Sequence, residues 1–171
     1  MAVLKQMEKP KLVCCDTMNF WIETKQDALI QTIKEVDITL MNDAEARELS
    51  KTYSLVDAAR KIISWGPTAV IFKKGEHGAL MFTDSTHFAA PAFPLEEIKD
   101  PTGAGDSFAG GFLGHLAKSN DLSEANIRKA VIYGSVMASF NVEDFSLDRL
   151  RTLTRDEIEE RYDTFRKITF F

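Results

Sequence analysis

The strongest chemical signal in the sequence is a run of small residues that leads into a predicted helix. Residues 100–106 read DPTGAGD, and a helical pattern follows from about Ser107. Small residues let backbone N–H groups converge at a helix N-terminus, where unpaired donors and the positive end of the helix dipole attract an anion. The run therefore predicts a phosphate-binding turn. It is neither a Walker A loop, since no Gly-Lys-Ser/Thr follows, nor a dinucleotide fingerprint, because Phe108 replaces the third glycine.

The run ends in an aspartate, Asp106, and a carboxylate is unexpected in a phosphate-binding turn. Its carboxylate would repel a resting phosphate, but a carboxylate can remove the proton of an attacking hydroxyl. Phosphoryl transfer to an alcohol would therefore give Asp106 a role. Alternatively, Asp106 interacts only with the dipole of its own helix, and Gly103 and Gly105 only shape a turn. The residues by themselves leave both interpretations open.

Length and charge restrict the class of protein. The chain has 171 residues, about one domain, with 44% apolar and 27% charged residues, so collagen-like, disordered and coiled-coil classes are excluded. Asp and Glu number 26 against 21 Lys and Arg, a net charge of -5. Because this charge would not attract a nucleic-acid backbone, no nucleic-acid partner is expected.

Cysteine and histidine usage points away from disulfides and zinc. The two cysteines, Cys14 and Cys15, are adjacent, and neighbouring side chains on a strand point to opposite faces. Buried thiols in a reducing compartment are expected. The three histidines stand at no metal-ligand spacing. No apolar run could span a membrane, and the first ten residues lack the centre of a signal peptide, so a cytoplasmic protein without a membrane partner is expected.

The elements that must position these residues alternate between strand and helix. Short apolar runs predict buried strands at Lys11–Cys15, Asp37–Met41 and Thr68–Phe72. Helical patterns are predicted at Gln26–Glu35, Asn42–Ser50 and Leu55–Trp65. Alternation of this kind favours an α/β architecture with a parallel sheet. Ala79–Phe82 and His87–Ala90 flank the turn Asp84-Ser85 and predict an antiparallel edge, so the sheet should be mixed.

The last third of the chain is predicted to be helical. Ser123–Phe140 is apolar nearly all round, so this helix must be buried. Thr154 and Glu157 have the spacing of a capping box at the start of a final amphipathic helix. One side of that helix is expected to carry Ile158, Tyr162, Phe165 and Ile168.

The motif resembles the C-terminal signature of the PfkB, or ribokinase-like, carbohydrate kinases. Residues 100–113, DPTGAGDSFAGGFL, match that signature along their whole length. The resemblance implies a kinase that uses ATP, with Asp106 as the catalytic base and the amides of Gly103, Ala104 and Gly105 as an anion hole. It also implies that Thr102, Gly103 and Gly105 line the ATP phosphates.

Asn42 and Glu45 match the Asn-x-x-Glu element that this family uses to place Mg²⁺ and phosphate. A carboxylate suits this role because Mg²⁺ prefers oxygen ligands and often keeps its waters, so Glu45 could act through one. The structural alternative is an ordinary helix start, with Asn42 as the N-cap and Glu45 reaching back from the third helical position. Both roles can hold at once.

Two further segments resemble the nucleotide-binding parts of the family. Residues 73–78, KKGEHG, resemble the nucleotide loop, which implies ATP contacts for Lys73, Gly75 and Gly78. Lys73 stands where the family commonly has threonine, and a lysine could pair with phosphate as a point charge. The alternative is a polar turn between strands. In the helix after the signature, Ser135 and Ser139 could admit an adenine ring, or could be small residues for helix packing.

Other matches are weaker. Asp100 matches a position that contributes to a monovalent-cation site in some relatives, but residues 140–145, FNVEDF, replace the family's Arg-Pro-Gly-like turn. A monovalent-cation site is therefore doubtful on the sequence. Asp16 to Asn19 resembles an Asp-x-Asn region near the phosphates.

The resemblance predicts a three-layer α/β sandwich with a mainly parallel sheet that is mixed at its edge. Residues 1–171 are expected to form one PfkB-type domain, the C-terminal, ATP-binding and catalytic portion, without the N-terminal part and the lid. The sheet would then have an uncovered edge. Either upstream chain covers this edge or the half assembles with another chain, for example as a homodimer.

The predicted function is transfer of the γ-phosphoryl of Mg·ATP to an alcohol group of a sugar or nucleoside. The alternative is a nucleotide-binding or assembly module without catalysis. The residues that grip the acceptor are expected to lie mostly in the absent half, so the sequence leaves the acceptor open.

Overall fold

The structure, a computed structural model, describes residues 3–170 and divides the chain into two compact units. The first unit comprises the chain up to Lys74 together with Leu80–Phe88, and the second comprises Gly75–Ala79 together with the chain from Ala89 onward. Five strands form one sheet in the order β1-β2-β3-β4-β5. They are β1 (Cys14–Asp16), β2 (Ile38–Asn42), β3 (Ala69–Lys73), β4 (Ala79–Thr83) and β5 (His87–Ala90).

The sheet is mixed, as predicted. β1, β2 and β3 are parallel, with Cys14 opposite Ile38 and Ile38 opposite Ala69. The five residues between β3 and β4 are too few for a parallel crossover, so β4 continues the sheet as an antiparallel hairpin. β2 and β3 are buried on both faces, as expected for central parallel strands.

Among the described residues, four short α-helices belong to the first unit, besides a 3-10 helix at Leu4–Gln6. They are α1 (Asn19–Thr24), α2 (Gln26–Ile33), α3 (Asp43–Ser50) and α4 (Leu55–Ile63). Their apolar sides pack on one face of the sheet, where Ile33, Leu49 and Ile62 join Met41 and Phe72 in one buried cluster. Ser54 caps α4 by accepting a hydrogen bond from the amide of Asp57.

Four helices belong to the second unit. They are α5 (Ala104–Ser119), α6 (Glu124–Asn141), α7 (Asp148–Thr152) and α8 (Arg155–Thr169). α5 and α6 approach closely: a Cβ at Gly111 would lie 2.6 Å from the carbonyl oxygen of Tyr133, and one at Gly134 would lie 2.9 Å from that of Phe108. Phe165 of α8 packs with Val136 and Phe140 of α6 in a second buried cluster.

The turn between β3 and β4 requires glycine at one position. Gly75–His77 form a single 3-10 turn, and Gly78 follows with φ +81°. A Cβ at Gly78 would lie only 2.0 Å from the carbonyl oxygen of Ala90. Both the positive φ and this close approach therefore exclude a side chain.

Several predicted boundaries are wrong by a few residues. The first strand was predicted at Lys11–Cys15 but covers Cys14–Asp16, and the helix expected from about Ser107 begins at Ala104. The short helices α1 and α7 were not predicted. Ile168 was expected on the packed side of the last helix but is 48% exposed, because only the central turns of α8 reach α6.

Candidate functional site

The first candidate region lies in the first unit, where three parallel strands end side by side. Register pairs Asp16, the last residue of β1, with Leu40, and Asn42, the last residue of β2, with Lys73 at the end of β3. Polar side chains therefore collect at the carboxyl ends of adjacent parallel strands. In open α/β sheets this edge is where ligands bind.

Asn42 and Glu45 form the capping box that their spacing predicts. The Asn42 side-chain oxygen accepts a hydrogen bond from the Glu45 amide at 2.8 Å, and Glu45 Oε2 accepts one from the Asn42 amide at 2.9 Å. The structural role of this pair is confirmed. Glu45 is nevertheless only 5% exposed, an unusual environment for a carboxylate whose only task is to cap a helix.

Asp16 and Thr17 connect the end of β1 to the other two strand ends. Lys73 Nζ lies 2.5 Å from Asp16 Oδ2, and the Thr17 amide donates to Asp16 Oδ1 at 2.9 Å. The Thr17 hydroxyl donates to Glu45 Oε2 at 2.9 Å. The sequence signalled Asp16 weakly and Thr17 within the same match, but the contacts join residues up to 57 positions apart.

The predicted nucleotide loop follows Lys73 directly. Lys73 is half-buried at the end of β3, where its ammonium is committed to Asp16. Gly75 has φ +55° with open space around its Cα, whereas Gly78 is buried against the chain at Ala90. The close approach to Ala90 therefore explains a glycine at position 78 without any ligand.

The second candidate region is the start of α5 in the second unit. Gly103 is the N-cap and has φ +84°, so glycine is favoured there. The Ala104 amide donates to the carbonyl oxygen of Pro101 at 3.2 Å, which turns it away from an anion role. Within residues 3–170 no acceptor is found for the amides of Gly103, Gly105 and Asp106. These three donors are therefore available to an anion at the helix N-terminus.

The side chain of Asp106 is exposed in the first turn of α5, and none of the hydrogen bonds found within residues 3–170 involves its carboxylate. An exposed carboxylate beside unused amides matches the arrangement that the phosphate-binding turn predicts. Thr102, also exposed, is held in the turn by its amide, which donates to Asp100 Oδ1 at 2.9 Å.

Asp100 ties this turn to the loop after α6. Its carboxylate accepts hydrogen bonds from the amides of Thr102 and, at 3.3 Å, Ser146, and these bonds lower the pKa of Asp100. Asn141 Nδ2 donates to the Ser146 carbonyl oxygen at 2.8 Å, while Asn141 Oδ1 is buried without a partner in the part of the chain described. A Cβ at Gly103 would lie 3.4 Å from that oxygen.

The predicted adenine-lining serines lie in the buried part of α6. Ser135 is 8% exposed and Ser139 is 7% exposed. The Ser139 hydroxyl donates to the Val136 carbonyl oxygen at 2.7 Å and accepts from the guanidinium of Arg161 at 3.1 Å. Ser139 thus has a packing role between α6 and α8.

The residues present fit a Mg²⁺ ion that is bound partly through water. In the described chain, no cluster of three or more His, Cys, Asp or Glu side chains is arranged around a potential metal position. Glu45 Oε2 is occupied by two donors, but no hydrogen bond to Oε1 is found within residues 3–170. One free carboxylate oxygen suits an ion that takes few protein ligands and keeps several waters.

The helices between residues 3 and 170 include none with the length and apolarity required to cross a bilayer.

The protein has an α/β fold with two separately described regions: polar side chains at the ends of adjacent parallel strands, and a helix start whose amides have no acceptor among the described residues. A sequence model of the pfkB family carbohydrate kinases matches residues 2–151. The chain therefore belongs to the pfkB carbohydrate kinase family.

Curated relatives are nucleoside and sugar kinases. The cytidine kinase of Thermococcus kodakarensis is 38% identical over 102 residues, which is 58% of this chain and 36% of the relative. The nucleoside kinase of Methanocaldococcus jannaschii is 28% identical over 143 residues, which is 82% of this chain and 44% of the relative. The chain thus spans less than half the length of these two relatives.

Solved structures have the same fold. The crystal structure of the M. jannaschii nucleoside kinase, an archaeal member of the ribokinase family, superposes with a TM-score of 0.75 at 26% identity, covering 95% of this chain and 51% of that one. A fructokinase from Vibrio cholerae O395 superposes with a TM-score of 0.81 at 20% identity, covering 93% and 52%. The ribokinase-like α/β fold expected from the sequence is confirmed.

Proposed function

We propose that this protein is a phosphotransferase that moves the γ-phosphoryl group of Mg·ATP to an alcohol group of a sugar or nucleoside. One observation carries the proposal: Asp106 is exposed and unpaired in the first turn of α5, beside the amides of Gly103 and Gly105, which have no acceptor among the described residues. Family membership supports the same reaction class.

In the proposed mechanism Asp106 removes the proton of the acceptor hydroxyl, so that the oxygen can attack the γ-phosphorus of ATP. As the new O–P bond forms, the bond from the γ-phosphorus to the β,γ-bridging oxygen breaks and ADP leaves. The amides of Gly103, Gly105 and Asp106 stabilise the negative charge on the transferred group, with the dipole of α5 behind them. Because little covalent chemistry falls to the protein in phosphoryl transfer, these residues act by positioning and by electrostatics. The Ala104 amide has a different role, because its bond to Pro101 holds the turn.

Asn42 and Glu45 are proposed to form the Mg²⁺ site. When bound, Mg²⁺ supplies positive charge against the phosphates. Glu45 offers Oε1, directly or through a water, while Asn42 fixes the carboxylate from its backbone amide. The capping role and the proposed metal role are compatible because they use different oxygens of one carboxylate.

The remaining nucleotide contacts are proposed from the family resemblance. Gly75 and Thr102 would lie along the phosphates, and Ser135 and Ser139 would lie near the nucleoside, with Gly78 shaping the loop. Lys73, whose ammonium binds Asp16, would lie beside the phosphates without contacting them. A nucleoside is a reasonable first acceptor to test, since two matched relatives are a cytidine kinase and a nucleoside kinase.

The experiment is a phosphoryl-transfer assay with ATP and a panel of nucleosides, ribose and hexoses, comparing the wild type with Asp106→Asn. A general base typically contributes 10²- to 10⁴-fold, so kcat should fall by about that factor while ATP affinity changes by less than about twofold. The matched control is Asp156→Asn, because Asp156 occupies the first turn of α8 and shares only the dipole interaction. It should leave kcat unchanged.

Two outcomes would contradict the proposal. Near-normal turnover by Asp106→Asn would exclude Asp106 as the base. ATP binding without transfer to any acceptor would favour the second candidate, a nucleotide-binding module.

A further inference from the structure

We propose that the ion pair between Lys73 and Asp16 is a positioning device that acts through Thr17 to orient the carboxylate of Glu45. The inference rests on the proposed function, which assigns Glu45 to the metal. It adds three positioning residues, Asp16, Thr17 and Lys73, that would set metal affinity without touching the metal.

The contacts form one continuous chain across three strand ends. The Lys73 ammonium binds Asp16 Oδ2 at 2.5 Å, and Asp16 Oδ1 accepts from the Thr17 amide at 2.9 Å. The Thr17 hydroxyl donates to Glu45 Oε2 at 2.9 Å, beside the bond from the Asn42 amide to the same oxygen. Every link is a hydrogen bond of ordinary or short length, so the position of Lys73 is connected to that of Glu45.

Two donors on one oxygen determine how the Glu45 carboxylate is rotated. The backbone donor of Asn42 is fixed by the helix start, so it holds Oε2 near α3 but leaves rotation about the carboxylate bond open. The Thr17 hydroxyl comes from a different strand end and therefore defines the carboxylate plane. With Oε2 engaged twice, Oε1 is the oxygen left for a metal or its water. Supporting partners of this kind typically change metal affinity by 10- to 100-fold.

The Lys73–Asp16 pair is less exposed to solvent than a typical surface ion pair, so it can hold Thr17 in place. Its side chains are 16% and 27% exposed, whereas the Arg60–Asp57 pair on α4 is 77% and 57% exposed. Solvent and salt weaken the exposed pair strongly and the half-buried pair much less. Lys73 also neutralises a carboxylate that would otherwise leave two acceptor-only groups, Asp16 and Glu45, on either side of Thr17.

The test measures metal binding separately from turnover. Mn²⁺ binding is followed by electron paramagnetic resonance in the presence of a non-hydrolysable ATP analogue, and analogue binding without metal is measured in parallel. Thr17→Val removes the hydroxyl at nearly constant volume and should weaken Mn²⁺ binding about tenfold or more. Thr17→Ser keeps the hydroxyl and should retain most of the affinity. Analogue binding without metal should be unchanged by either substitution.

Double substitution tests whether the effect travels through Thr17. Asp16→Asn and Lys73→Met should each weaken Mn²⁺ binding, and each should add little once Thr17 is valine, because residues in one network are non-additive. Arg60→Met is the matched control, since it breaks an exposed ion pair of the same unit. It should leave Mn²⁺ binding unchanged.

The outcomes separate the inference from the function on which it rests. If Glu45→Gln weakens Mn²⁺ binding but Thr17→Val does not, the positioning role is wrong and the metal assignment stands. If Lys73→Met weakens metal-free analogue binding while Asp16→Asn does not, Lys73 acts on phosphate directly and the inference is wrong. If Glu45→Gln leaves Mn²⁺ binding unchanged, both the metal assignment and the inference fail.

Discussion

Two capping boxes in this protein have the same local geometry and different surroundings. Asn42 and Glu45 begin α3, and Thr154 and Glu157 begin α8, each pair with reciprocal bonds between backbone and side chain. In the second box both carboxylate oxygens are engaged, since Oε2 accepts from Thr154 and Oε1 lies 2.5 Å from the Arg149 guanidinium. In the first box, partners within residues 3–170 are found for Oε2 of Glu45 and not for Oε1.

The difference distinguishes a structural carboxylate from a candidate functional one. Glu157 is the more exposed of the two and has every oxygen satisfied, which is sufficient for a helix cap. Glu45 is 5% exposed yet keeps one oxygen without a hydrogen-bond partner in the described chain. Glu45 Oε1 is not among the buried atoms without a partner in the described chain, so this oxygen is reached by solvent and is open to water or a ligand. The two boxes have the same hydrogen-bond geometry, and the residues around each glutamate determine whether its second oxygen is available to a ligand.

The largest expected effect separates the two glutamates by function. Glu45→Gln should lower phosphoryl transfer by about 10- to 100-fold at limiting Mg²⁺, because the neutral amide is a poorer partner for the ion or its water. Glu157→Gln should leave transfer within about twofold of the wild type. The rate against Mg²⁺ concentration is the measurement, and equal effects of the two substitutions would mean that Glu45 only caps its helix.

A smaller effect is expected on stability, where the two boxes should behave alike. Asn42→Ala and Thr154→Ala each remove an N-cap side chain, at a cost of about 1 kcal/mol in the free energy of unfolding. Denaturant unfolding of the two variants measures this cost. Asn42→Asp and Thr154→Ser retain capping oxygens and should recover most of it. A cost several-fold larger at Asn42 would show that its box supports more than the helix start.

The smallest effect is expected in acid, at the second box. Hydrogen bonds from Thr154, followed by the Arg149 contact, lower the pKa of Glu157 to about 2. Because the folded pKa is below the unfolded value of about 4.3, the stabilisation is complete above about pH 4.3 and is lost as pH falls towards 2.

The stability of Glu157→Gln should therefore depend less on pH than that of the wild type across that window. Thermal unfolding between pH 6 and 2 measures this dependence. Glu160→Gln, on the exposed side of the same helix, is the control and should keep the wild-type dependence. An unchanged slope in Glu157→Gln would contradict the assignment of the lowered pKa to this contact.

The comparison also explains which parts of the site were predictable. Both capping boxes were predicted because a cap joins residues three positions apart, and the phosphate-binding turn was predicted because its glycines are contiguous with the helix they start. The Lys73–Asp16 pair was not predicted, since it joins residues 57 positions apart. Only the parallel register of β1, β2 and β3 brings these two side chains together.

The roles of small residues were also not predictable from the sequence alone. Ser139 was a candidate for the adenine pocket, and the structure shows its hydroxyl bonded to Val136 and Arg161. Arg161 lies on α8, all of which follows the end of the family match at residue 151. Composition indicates that a residue is small, but only the packing of α8 on α6 shows what fills the space beside it.

By itself the sequence determined the order of the strands and of the longer helices, the turn that ends in Asp106, and the family, because these depend on periodicity and on residues close together in the chain. The tertiary structure alone decided which oxygen of Glu45 is hydrogen-bonded, what Lys73 binds, and that the Ala104 amide donates to Pro101. The physical reason is that hydrogen bonds are directional and short-ranged. Their partners are therefore set by strand register and loop geometry, which no local pattern specifies.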